Sequence, residues 1–248
     1  MHNGLRVFAV LVLLSWAAPL VAQHEHHPAA QPAQGQAPAA QAPYKEDPRP
    51  WFLRGKGFRE FGHQMAGVFL LAAGLLLVLQ DRLSTRLSAI RYFWPFCFLL
   101  PGLYLIILSD TEIWPFGDQN LFVLLRTDMQ VLQHKVFSLI LLAVGWIELQ
   151  RARGKITATW SAFVFPVLAL TGGVLLFFHP HAIGGHGPEH AASMMMVQQQ
   201  HFWFGVVGVG IALTKLLAEL KWPWKSLFAR VWPSLMMVMG VLLLVYKE

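Results

Sequence analysis

Hydrophobic residues occur along the chain in six long, continuous runs separated by short polar stretches. A helix needs about 20 residues to cross roughly 30 Å of hydrocarbon. Continuous runs indicate helices, because the strands of a membrane barrel alternate apolar and polar positions. The pattern therefore predicts an all-α integral membrane protein with a six-transmembrane-helix bundle. The predicted spans are residues 62–80, 91–109, 129–149, 157–178, 199–218 and 229–246.

The composition supports a lipid bilayer as the environment. The chain has 248 residues, of which 56% are hydrophobic and 13% charged, and its mean hydropathy is +0.49. A soluble domain of this length does not need so much apolar surface. The net charge of +6 lies mostly in the polar loops and the N-terminal part, so we expect no nucleic-acid surface. The single cysteine, Cys97, falls in a predicted span, so neither a disulfide nor a thiolate cluster is expected.

Changes in composition along the N-terminal part of the chain predict the domain organisation. Residues 1–22 have Arg6, a short apolar run and small residues up to Ala22, which is typical of a secretory signal peptide. Residues 23–50 are rich in Pro, Ala and Gln and are predicted to form a disordered extracytoplasmic tail. Residues 51–248 are predicted to form the membrane domain, with a His- and Met-rich outer loop at 179–200.

Basic residues predict the orientation of the bundle. They concentrate in the loops after the first, third and fifth spans, which are expected to be cytoplasmic. These residues are Arg82, Arg86, Arg91, Arg151, Arg153, Lys155, Lys221, Lys225 and Arg230. In a bacterial inner membrane, the tail and the His-rich loop would then face the periplasm. Residues 44–62 conflict with this orientation because they hold five basic residues on the outer side. They are interpreted as an interfacial helix or a soluble tail.

Three histidines recur at the outer starts of the odd-numbered spans. His63, His134 and His201 are 71 and 67 positions apart, which is consistent with one helix hairpin used three times. A lone histidine at a membrane surface is usually a residue with a solvated ring. Three imidazoles at one depth are instead suited to a His₃ metal site. Ionisable residues at the membrane are costly and usually functional.

The surrounding residues favour copper as the metal. Thioethers select copper(I), whereas imidazole accepts both copper and zinc. The candidate thioether ligands are Met65, Met129, Met194, Met195 and Met196. Further candidate ligands in the outer loop are His179, His181, His186 and His190, although a solvated loop tolerates this spacing without binding a metal. Met236, Met237 and Met239 in the last span are more typical of packing.

Three short motifs resemble one known group of membrane proteins. "GHQM", "MQVLQH" and "HAASMMMVQQQH" are similar to the His and Met motifs near the periplasmic helix ends of copper-resistance D proteins (the CopD and PcoD type). The resemblance implies an inner-membrane bundle that works in copper uptake or homeostasis with a periplasmic copper carrier. The His/Gly-rich loop and the Pro/Ala/Gln tail depart from that group.

Two other functions fit the same residues. A membrane cytochrome b-like protein in electron transfer would use two of the three histidines as axial ligands of haem b. A non-catalytic membrane subunit or assembly factor would use its outer loop to dock a partner. The chain has no nucleophile elbow, paired catalytic motif or P-loop, so we do not expect an enzyme. Lys215, near an inner helix end, is expected to snorkel to the interface.

Overall fold

Six helical segments long and apolar enough to cross a membrane make up most of the chain. The computed structural model describes residues 50–53, 55–83, 89–178 and 188–248. The six segments are Gly55–Gln80, Ile90–Leu108, Met129–Ala152, Thr159–Leu176, Ala192–Glu219 and Lys225–Leu244. No strand occurs within these described ranges. The predicted all-α six-helix bundle is confirmed, whereas the predicted signal peptide and the tail up to residue 49 lie outside the described residues.

The helices are numbered here in chain order. They are α1 (Gly55–Leu83), α2 (Ile90–Phe93), α3 (Phe96–Leu108), α4 (Leu121–Thr127), α5 (Met129–Ala152), α6 (Val164–Leu176), α7 (Pro188–Glu219) and α8 (Lys225–Leu244). The second span consists of α2 and α3, which meet at Pro95, a residue without a backbone N–H for helix hydrogen bonding. The fourth span consists of a 3₁₀ turn, Thr159–Phe163, followed by α6.

Two helices begin well before the apolar runs that predicted them. α1 begins at Gly55 and α7 at Pro188, because helical hydrogen bonding continues through polar residues that a hydropathy pattern assigns to loops. The predicted outer loop at 179–200 is therefore wrong from residue 188 onward, where the chain is helical. The basic residues Lys56 and Arg59 likewise belong to α1. The Arg59 Nε lies 2.7 Å from a Glu248 carboxylate oxygen, so the positive charge of Arg59 is paired.

The side chain of Asp128 caps the start of α5. The Asp128 Oδ1 accepts hydrogen bonds from the backbone N–H groups of Gln130 and Val131 at 2.9 and 3.2 Å. These two groups have no partner within the helix itself, so the carboxylate stabilises the first turn. The cap starts the third span at Met129 and places His134 early in that span.

The six spans pack in a ring. Extensive contacts join α1 to α8, α8 to α7, α7 to α6 and α3 to α5, and smaller contacts between α5 and α6 and between α1 and α3 complete the ring. Among the three predicted hairpins, only α7 and α8 pack extensively against each other. The packing therefore does not reproduce a repeat of three equivalent hairpins. Instead, all six spans surround one common interior.

Glycines allow the closest helix contacts. A Cβ added to Gly67 on α1 would lie 2.7 Å from the Gly240 carbonyl oxygen on α8. On the other side of the ring, a Cβ added to Gly173 on α6 would lie 2.8 Å from the Val209 backbone nitrogen on α7. Small residues at such crossings let helix backbones approach closely, which is a main source of helix association in lipid.

Candidate functional site

One cavity within the ring brings the three predicted histidines together. It encloses about 240 Å³, and its wall includes His63 from α1, His134 from α5 and His201 from α7. The remaining spans contribute as well, and the residues at that wall include Tyr104 of α3, Leu176 of α6 and Met239 of α8. Residues from all six spans therefore converge on the three imidazoles.

Two of the imidazoles are in close contact with each other and with a tyrosine. The ring centroids of His63 and His201 lie 5.6 Å apart with their planes at 89°. Tyr246, which follows α8, stacks on His63 with ring centroids 3.9 Å apart. Its ring also meets His201 edge-on at 5.8 Å. His201 is only 3% exposed and His63 is half-buried, so the His201 ring lies inside the protein.

The Nδ1 atoms of all three histidines face oxygen acceptors. The Nδ1 atoms of His63 and His201 each lie 2.9 Å from the backbone carbonyl oxygen four residues earlier. The Nδ1 atom of His134 lies 2.7 Å from Oδ1 of Asp110. Carbonyl and carboxylate oxygens only accept, so each Nδ1 carries the proton. In the neutral imidazole, Nε2 is then the nitrogen whose lone pair can bind a metal.

Asp110 is a buried carboxylate on the loop that follows α3. Besides the His134 ring, it accepts hydrogen bonds from Ser109 Oγ at 2.5 Å and pairs with Lys135 Nζ at 2.8 Å. Burial alone raises the pKa of Asp110, but the hydrogen bonds from His134, Lys135 and Ser109 outweigh burial and hold the pKa below its usual value. The carboxylate therefore stays ionised beside His134.

Most of the remaining cavity wall is aromatic or aliphatic. Its aromatic members are Phe58, Tyr104, Phe137, Phe204 and Tyr246. Burial, followed by the nearby Glu248 carboxylate, raises the pKa of Tyr246, so its phenol is neutral. Arg59 also lines the wall, but its charge is paired with Glu248. The imidazoles thus lie in surroundings of low polarity.

A second, polar cavity adjoins the histidine cavity. It also encloses about 240 Å³, and its wall includes the acidic residues Asp110, Glu112, Asp128 and Glu248. Both cavities are lined by Phe58, Arg59, Ser109 and Gln130. Asp110 faces the polar cavity while its partner His134 lines the other, so this pair lies between the two.

The predicted methionine ligands do not line the histidine cavity. Met65, Met129, Met194, Met195 and Met196 are absent from its wall, and Met129 and Met195 are 55% and 72% exposed. Helix geometry explains this result for Met65, Met129 and Met196. Residues two or five positions apart, such as Met65 and His63 or Met196 and His201, lie on different helix faces. The thioether that does line the cavity is Met239, 6% exposed, which the sequence pattern assigned to packing.

The outer-loop histidines are not part of the described site. His179, His181 and His186 lie outside the described residues. His190 lies on α7, and its backbone is roughly 16 Å along the helix axis from that of His201 at 1.5 Å per residue. A ligand role for these four residues stays a prediction.

The three imidazoles share a cavity without forming a finished coordination sphere. Across the described part of the chain, no group of three or more His, Cys, Asp or Glu side chains is positioned to hold a metal ion. Side-chain rotation would be needed for all three rings to reach one ion. The role of His63, His134 and His201 as metal ligands also stays a prediction.

The end of the bundle opposite the histidine cavity holds ionisable residues that the sequence pattern did not predict to be buried. Lys215 is 8% exposed and Glu148 is 5% exposed. The Lys215 Nζ pairs with Glu219 and lies 4.6 Å from the centre of the Trp232 ring. A neighbouring carboxylate and an aromatic face thus satisfy the charge of Lys215, and its snorkelling to the interface stays a prediction.

No protein-family model, curated protein or solved structure matches the chain. The similarity to copper-resistance D proteins therefore remains a resemblance of short motifs, and the functional proposal depends on the chemistry of the site.

Proposed function

We propose that the protein binds copper in the histidine cavity and serves copper uptake or homeostasis. The observation that carries this proposal is the convergence of His63, His134 and His201 on one cavity, each with Nδ1 facing an oxygen acceptor. Histidines that bind metals commonly donate the second ring N–H to a carbonyl or carboxylate in this way. Rotation of the rings around a bound ion would complete the site.

The charge of the surroundings favours copper(I) over zinc. Imidazoles bind metals in their neutral form, so three of them and the Met239 thioether, at a mostly apolar wall, would supply no net negative charge. The Asp110 carboxylate beside His134 is paired with Lys135. A monovalent ion has a smaller desolvation cost there than a divalent ion. Thioether sulfur also prefers copper(I), whereas zinc is usually bound by thiolate, imidazole or carboxylate.

We place the histidine cavity on the periplasmic side of a bacterial inner membrane. The loops after the first, third and fifth spans carry clusters of Arg and Lys, which are expected to stay in the cytoplasm. The cavity lies towards the opposite ends of the spans. The pairing of Arg59 with Glu248 reduces the positive charge that conflicted with this orientation. A periplasmic copper carrier would then be able to deliver the ion.

Haem b is the second candidate ligand. His63 and His201 lie on different helices, with ring centroids 5.6 Å apart and both Nδ1 atoms bonded to helix carbonyls. Two such rings and a wall of aromatic and aliphatic residues would also suit the axial ligation of a haem. Electron transfer would be the function in that case.

Metal analysis of the purified protein separates these functions. We expect about one copper per chain after purification in mild detergent with copper(I) present, and no Soret band in the visible spectrum. Alanine at His63, His134 or His201 should strongly reduce the bound copper. The matched control is Met195→Leu, because Met195 is exposed and absent from the cavity wall.

Other outcomes would contradict the proposal in distinct ways. A Soret band lost in His63→Ala and His201→Ala would select the haem protein. Zinc retained in preference to copper would refute the choice of metal. The absence of both metal and haem from a folded protein would favour a non-catalytic subunit or assembly factor.

A further inference from the structure

The third histidine of the cavity differs from the other two in how its ring is held. The Nδ1 partners of His63 and His201 are carbonyls of their own helices, Arg59 and Val197. These acceptors are present whenever the helix forms. The partner of His134 is instead a carboxylate 24 residues earlier in the sequence. The orientation of this ring therefore depends on a contact between α5 and the loop that follows α3.

Asp110 is itself firmly positioned. It is 5% exposed, and Ser109 and Lys135 both donate to its second oxygen, Oδ2. Lys135 also donates to the Ile106 carbonyl at 3.1 Å. The end of α3 and the start of α5 are thus tied together at the carboxylate, with the His134 ring on its other oxygen.

We propose that Asp110 is a positioning residue that sets the tautomer of His134 and so makes Nε2 its metal-binding nitrogen. The part of this inference that concerns copper depends on the proposed function, whereas the part that concerns the tautomer does not. A carboxylate behind a ligating imidazole also increases the basicity of the ligand nitrogen. Removing such a partner typically costs about 10–100-fold in metal affinity.

A purely structural role for Asp110 is the alternative. In that case the carboxylate would only tie α3 to α5 through Lys135, and the His134 tautomer would not depend on it. The two roles predict different results for the imidazole nitrogens, which can be observed directly without any metal.

The test is nitrogen NMR of the apo protein with ¹⁵N-labelled histidine, in detergent or nanodiscs. The chemical shifts distinguish the two tautomers, and the His134→Gln spectrum assigns the His134 signals. In the wild type we expect the Nδ1–H form for His134. In Asp110→Ala we expect His134 to lose that preference while His63 and His201 keep theirs. Asp110→Glu, which restores a carboxylate, should recover the Nδ1–H form at least in part.

A matched control and a second measurement complete the test. Asp128→Asn changes a neighbouring carboxylate and keeps a good helix cap, so it should leave all three tautomers unchanged. The copper(I) affinity should fall about 10–100-fold in Asp110→Ala and should not fall in Asp128→Asn.

Several results would overturn the inference. A wild-type His134 in the Nε2–H form would do so even if the Asp110→Ala protein failed to fold. A folded Asp110→Ala protein with an unchanged His134 tautomer would assign Asp110 the structural role, whatever happens to copper affinity. If the wild type binds no copper but the tautomer depends on Asp110, the proposed function fails while the positioning role stands.

Discussion

The contact between α1 and α8 should tolerate no added methyl group at Gly67. A Cβ at this position would lie 2.7 Å from the Gly240 carbonyl oxygen and 2.9 Å from the Leu244 backbone nitrogen. Both atoms belong to the backbone, so no side chain can move aside and the two helices must separate. Gly57 is the matched control, because it lies on the same helix and an added Cβ would meet nothing within 4 Å.

The difference between Gly67→Ala and Gly57→Ala isolates the steric effect. Alanine in place of glycine favours a helix by about 0.5–1 kcal/mol at either position. Forcing an extra carbon into a packed contact costs about 1–3 kcal/mol. The free energy of unfolding should therefore be about 1–3 kcal/mol lower for Gly67→Ala than for Gly57→Ala.

Reversible unfolding in mixed detergent micelles, followed by tryptophan fluorescence, measures this difference. Because His63 lies one turn before Gly67, separation of α1 and α8 should also weaken the stacking of His63 on Tyr246 and lower copper affinity. Equal unfolding free energies for the two variants would refute the close approach of these helices and the cavity geometry that depends on it.

Three further substitutions test other contacts. Ser138→Ala removes a buried 2.8 Å hydrogen bond to the Gly102 carbonyl and should lower the unfolding free energy by about 0.5–1.5 kcal/mol. An unchanged unfolding free energy would contradict a contact between α3 and α5 at this point. Lys215→Met should lower the unfolding free energy by about 1–3 kcal/mol, because it removes the cation that pairs with Glu219. Lys221→Met, at an exposed position, should have little effect, and similar losses in the two variants would refute the burial of Lys215. Met239→Leu should lower copper(I) affinity in competition titrations without lowering stability, and an unchanged affinity would remove the thioether from the site.

The number and type of the spans could be predicted because each depends on local sequence. An apolar run of about 20 residues requires a helix in lipid, whatever the rest of the chain does. Helix ends were less predictable, since the polar residues of 188–200 extend α7 without any change in hydropathy to mark them. The ring order of the helices depends on close contacts such as Gly67 with Gly240, which no local pattern reveals.

The sequence could predict only those residues of the candidate site whose place depends on their position along a span. His63, His134 and His201 occur at equivalent places along three spans, and the structure lines one cavity with all three. Asp110 and Tyr246 could not be found in this way, because they approach the imidazoles from separate parts of the chain. The methionines near the histidines in sequence do not line the cavity, since proximity along a helix is not proximity at one face and one depth.

X-ray absorption spectroscopy of the protein loaded with one equivalent of copper(I) tests the central claim most directly. Outer-shell scattering from imidazole rings reports how many histidines bind the ion. We predict imidazole scattering from His63, His134 and His201, reduced by one ring when any one of them is replaced and unchanged in Met195→Leu. A copper environment without imidazole, or one unaffected by these histidine substitutions, would contradict a shared copper site in the cavity.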